Sequence, residues 1–88
     1  MPSAPTLEFR LMPGQEATAE DRWDPLSYTS YFSVSGTVEF KHTIEPLPWF
    51  FRNTVRDGRH QIALPPGYNK LVFRGVGPGT NIVRYRIP

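Results

Sequence analysis

The chain has no cysteine. That excludes a disulfide framework, a thiolate metal site and a cysteine nucleophile together. Histidine is scarce: His42 and His60 are the only two, too few for most zinc sites without carboxylate help. Excess charge of one sign is lacking as well. Ten Lys and Arg face eight Asp and Glu, leaving a net charge of +2, which is no coat for nucleic acid or an anionic membrane. Long apolar runs are absent, so no transmembrane helix is expected. The opening MPSAPTLEFR has no basic segment followed by an apolar one, so no secretory leader is expected, and synthesis is placed in the cytoplasm.

What is present is aromatic and punctuated. At 88 residues the chain is one domain whose core is thin, because roughly 60–65% of the unfolded surface can be buried at this size. Six Phe, four Tyr and two Trp can fill such a core with few residues. With no disulfide or metal to staple it, association with copies of itself or with another protein is the expected support. Most of the cations are arginine, which favours planar, multidentate contacts.

Short segments rich in Val, Ile, Thr, Phe and Tyr are cut apart by SG, RDG, PPG and GPG. This punctuation predicts an all-β fold: a small antiparallel β-sandwich or barrel of about seven short strands. Residues 1–6 read as an extended N-terminal arm, because Pro2 and Pro5 fix φ and remove two amide donors. Residues 7–88 form the single sandwich domain. Leu7, Phe9 and Leu11 alternate with Glu8 and Arg10 as a first strand. Gln15–Pro25 reads as a turn or one helical turn near Ala17–Arg22, with Trp23 folded inward. Tyr28–Val34 and Thr37–His42 are expected to form a hairpin across Ser35-Gly36, and Asp57-Gly58 a second hairpin turn. Pro46 and Pro48 confine the Trp49-Phe50-Phe51 segment to a sheet edge. The expected core is Phe9, Phe32, Phe40, Trp49, Leu71, Phe73 and Tyr85.

No catalytic constellation emerges, and the chain is expected to have no enzymatic activity, no cofactor and no bound metal. His42 continues the inward set of Val38 and Phe40, so it reads as a satisfied strand-end histidine; His60 follows a turn and reads as solvated. Asp21 and Asp24 bracket Trp23, but so short a chain can hardly wall a glycosidase cleft. Gly75–Gly79 lacks the Lys-Ser/Thr of a phosphate loop and carries Pro78, so it reads as a β-turn. Arg84 and Arg86 share the outward face of the last strand, where cross-strand pairing with Glu8 or Glu39 is preferred to a nucleic-acid stripe. Phe50 must point outward if its neighbours point in, and with Arg52 beside it reads as an interface residue.

The stretch SVSGTVEF, a Trp some ten residues on, the short IAL strand and KLVFRGVGPGTNIVRYRIP resemble small β-sandwich proteins of tailed bacteriophages. In those proteins a Ser-Gly-Thr-Val strand precedes a Trp segment and a late Arg-Gly/Gly-Thr hairpin closes the sheet. The resemblance spans Ser30 to Pro88 and departs at Glu45-Pro46-Leu47-Pro48. It implies a virion structural protein: a capsid decoration or cement protein binding major capsid or other virion proteins, and copies of itself, with no nucleic-acid or membrane partner. Interface candidates are Pro2, Pro5, Phe50, Arg52, Arg84 and Arg86. The alternative is a carbohydrate-binding or tail/baseplate adhesion module in which Trp23 and Tyr31 stack on sugars.

Overall fold

The computed structural model describes residues 5–47 and 50–88, so Pro2, Pro48 and Trp49 lie outside the described residues. The described chain is all-β, without helix: β1 Thr6–Leu11, β2 Glu16–Asp24, β3 Tyr28–Glu45, β4 Phe50–Leu64, β5 Gly67–Gly75 and β6 Asn81–Arg86. Every pairing is antiparallel, in a curled sheet that forms a half-barrel.

The register resolves this sheet into four rows. β3 is the central long row. β4 lies along one side of it, and β5 and β6 lie end to end along the other, opposite Val38–Glu45 and Phe32–Ser35. Outside these, β2 pairs with β5 and β1 with β6. All four rows are interrupted at one level: Gly58 in β4, Gly36 in β3, the loop at 76–80 between β5 and β6, and the turn at 12–15 between β1 and β2. The sheet therefore folds along a crease.

The crease is held by polar contacts. Asn81, 1% exposed, accepts from the Thr37 amide at 2.9 Å. Its amide nitrogen donates to the Leu11 carbonyl at 3.0 Å and the Gly77 carbonyl at 2.9 Å. The Gly36 amide donates to the Asp57 carboxylate, and the amides of Val76 and Gly77 both donate to the Thr37 carbonyl at 3.0 Å. Between the folded halves sit Leu11, Phe32, Val34, Val38, Leu71, Phe73, Val83 and Tyr85. Phe32 and Phe73 meet edge-on with centroids 5.0 Å apart, a favoured aromatic geometry.

Several expectations are corrected. The all-β class holds, with six strands described where about seven were expected. Ser35-Gly36 does not reverse the chain. β4 pairs with β3 on both sides of it, so it is a bulge inside one 18-residue strand. Asp57-Gly58 likewise bends β4 without turning it; β3 ends at Glu45, just before the cis Glu45-Pro46 bond, and β4 begins at Phe50. Gln15–Pro25 is neither a turn nor a helical turn. It contains β2, and Trp23 points outward at 64% exposure. Phe9 and Phe40 are half-buried, packed against the core without joining its fully buried set. Thr6, expected in the arm, opens β1, and the Pro5 carbonyl accepts from Ile87.

Candidate functional site

Among the described residues every buried polar side chain has a hydrogen-bond partner. His42 is 3% exposed, and its Nε2 lies 2.8 Å from Asn69 Oδ1. A carboxamide oxygen only accepts, so Nε2 carries the proton and donates. Asn69 in turn donates to the Pro65 carbonyl at 2.8 Å. His42 is thus the satisfied strand histidine expected. His60 is not fully solvated: it is half-buried, its ring 5.4 Å from Phe32, and its Nε2 donates to the Arg56 carbonyl at 2.7 Å. Neither imidazole is oriented by a carboxylate among the described residues.

A second buried cluster joins β6, β2 and β3. The Tyr85 hydroxyl donates to Glu20 Oε1 at 2.8 Å and lies 3.0 Å from Ser30 Oγ. Burial drives the Tyr85 phenol well above its ordinary pKa. Glu20, 6% exposed, also meets Arg22 Nε at 3.4 Å. Its carboxylate is consumed by structure. Among the described residues no group of three or more His, Asp or Glu could hold a metal ion. Gly75–Gly79 spends amides on Thr37, as a β-bend would, leaving those donors turned to the protein and not to a phosphate.

The surface is where unspent groups collect. On the convex face Glu16, Glu39, Lys41, Arg52, Lys70 and Arg74 surround a shallow depression, with Arg52 Nε 3.4 Å from Glu39. Phe50 is 47% exposed and lies under both Lys41 Nζ, 4.3 Å from the ring centre, and Arg52, at 5.2 Å. The two adjacent interface candidates Phe50 and Arg52 therefore form one exposed cation–aromatic patch. On the concave side Phe40, His42, Ile44, Phe51 and Ile62 line an open apolar groove of about 590 Å³. Phe51 is 52% exposed at its rim and not in the core.

Arg84 and Arg86 are brought near neither Phe50 nor Arg74. Arg84 pairs with Glu8 at 2.9 Å across β1, the cross-strand pairing expected, and Arg10 reaches the same carboxylate at 3.1 Å. Arg84, then Arg10, hold the Glu8 carboxyl below its usual pKa. Arg84 and Arg86 also line one depression with Tyr31, Arg59 and His60, and Arg86 lines another with Thr29 and Tyr31, toward the start of β3. The interface candidates thus fall on two surfaces, not one. Sequence reasoning missed β2 as a surface. It brings Glu16, Asp21 and Trp23 to the open edge of the sheet, with Asp21 accepting from the Tyr68 hydroxyl. Compared with family models, curated proteins and solved structures, the chain finds no match.

Proposed function

We propose that the protein is a non-enzymatic structural component of a tailed-phage particle, a capsid decoration or cement protein that holds neighbouring subunits together. The observation that carries this reading is β4. It is an edge strand of fifteen residues, largely exposed, with Phe50 and Phe51 open to solvent on opposite faces. An edge of that length, with aromatic anchors, suits strand addition and apolar docking to another protein. The resemblance from Ser30 to Pro88 supplies the particle context. β6 lies between β1 and β3, so strand addition falls to the edges of β1, β2 and β4 and not to the last strand.

Deleting residues 2–4, which leaves Pro5 and the whole of β1 in place, tests the contribution of the N-terminal arm. The truncated domain is expected to fold and to occupy fewer sites on particles, which then resist heat less well. Wild-type occupancy with unchanged particle heat resistance would remove the arm from the proposal. A sugar-binding or tail adhesion role draws on one observation, the exposure of Trp23 and Tyr31 at 64% and 53%. Saturable binding on a glycan array, lost in Trp23→Ala, would favour it.

A further inference from the structure

We propose that β2 of one copy pairs antiparallel with the outer edge of β4 of a second copy, joining copies of this chain head to tail. The first ground is charge. Outside the core β2 carries three carboxylates, Glu16, Asp21 and Asp24, against one arginine, and β4 carries three arginines against one carboxylate. These strands form two outer edges of the sheet, and among the described residues neither is paired on its outer side. The molecule thus presents an acidic edge and a basic edge, which attract each other between copies and repel their own kind.

The second ground is register. Residues directly opposite one another in an antiparallel sheet share a face, so the rows show which side chains point outward together. Glu16, Arg74, Glu39 and Thr54 form one row; Thr18, Val72, Lys41 and Arg52 the next; Asp21, Lys70, Thr43 and Phe50 the third. The convex face of β2 therefore reads Glu16, Thr18, Asp21, Trp23, and that of β4 reads Phe50, Arg52, Thr54, Arg56. Run antiparallel, these series set Glu16 opposite Arg56, Thr18 opposite Thr54, Asp21 opposite Arg52 and Trp23 opposite Phe50. The irregularity between Thr18 and Glu20 takes up the one extra residue on β2. Two ion pairs, a threonine pair and an aromatic pair fall together, each a favourable cross-strand combination.

The backbone permits the same alignment. Ala17, Phe73, Phe40 and Asn53 lie in one row across four strands, so outward peptide groups alternate in the same phase on both edges. Ala17 then falls opposite Val55. β4 contains no proline that would remove a donor. Because each copy offers one edge of each kind, the contact is heterologous and either closes into a ring or continues. Such a joint would serve the particle role proposed above, yet it is read on the purified chain alone, so its failure and that of the particle role are separable.

The absence of cysteine gives a direct test. Thr18→Cys and Thr54→Cys proteins are prepared separately, mixed under mild oxidation, and their disulfide dimers resolved by mass. Within one chain these positions are separated by two intervening strands, about 14 Å, beyond disulfide reach. The mixed dimer is expected to form at least tenfold faster than either like-with-like dimer. A second experiment uses sedimentation velocity on charge reversals. The Arg52→Glu/Arg56→Glu and Glu16→Arg/Asp21→Arg proteins should each associate at least tenfold more weakly than wild type, and mixing them should restore association. Equal rates for all three disulfides, a wild type that stays monomeric at every concentration, or no rescue on mixing would overturn the proposal.

Discussion

Asn81 Oδ1 accepts a hydrogen bond from the backbone amide of Thr37, 44 positions earlier, at 2.9 Å. With its two donations to Leu11 and Gly77, one buried side chain satisfies backbone groups from three rows at the crease. Removing it strands a donor and two acceptors where water has little access. Asn81→Ala is expected to cost about 3 kcal/mol or more. Asn81→Asp keeps the acceptor but loses both donations and sets a carboxylate against two carbonyls, so it should destabilise strongly too. Thermal melts followed by circular dichroism check both, and a loss under 1 kcal/mol (~) for either would refute this role.

Gly36 and Gly58 separate two causes of glycine preference. Both have positive φ, +107° and +133°. A Cβ at Gly58 meets nothing within 4 Å, whereas one at Gly36 collides with the Asn81 carboxamide. Gly58→Ala should therefore cost only backbone strain, about 1–2 kcal/mol, and Gly36→Ala distinctly more. Equal denaturant midpoints for the two variants would contradict the crease geometry.

Much of the sheet was legible in the sequence because burial on one face imposes period 2. The pairs Leu71/Phe73, Phe32/Val34 and Val83/Tyr85 follow it directly, and all six residues are buried. The bends were not legible as bends. Ser-Gly and Asp-Gly supply positive φ equally to a hairpin turn and to a bulge, and only the continuous pairing of β3 with β4 decides between them. β2 escaped notice because its inward residues are Ala17, Ala19 and Glu20. Two are small, and the third is acceptable inside only because Tyr85, distant in sequence, donates to it. On the surface, Phe50 and Arg52 were legible as neighbours in the chain. The opposed charge of β2 and β4 depends on topology, which places both at outer edges.

The core makes a graded prediction. Phe73 is fully buried, and Phe73→Ala should cost about 3–5 kcal/mol, close to the whole stability of so small a domain. Phe40 lies half-open to the concave groove, so Phe40→Ala should cost clearly less. Denaturant unfolding of both variants in parallel checks the order, and a reversed order would misplace the core.

Tyr85 is expected to weaken the fold at alkaline pH. Its phenol is held neutral in the fold by burial, while the unfolded chain ionises near pH 10. A folded pKa raised above the unfolded one contributes stability that is fully present below about pH 10 and is lost as pH rises beyond it. Stability should accordingly fall above pH 10 (~), and Tyr85→Phe should lose stability at neutral pH but show a shallower alkaline decline. Parallel pH–stability curves for the two proteins would remove Tyr85 as the cause.

Under the proposal made above, this chain is a non-enzymatic building block of a tailed-phage particle. If so, the protein co-purifies with such particles, which quantitative mass spectrometry of purified particles checks. It is expected at a fixed copy number relative to the major capsid protein, and particles lacking it should fail at lower temperature. Its absence from washed particles, while abundant in the lysate, would overturn the proposed role.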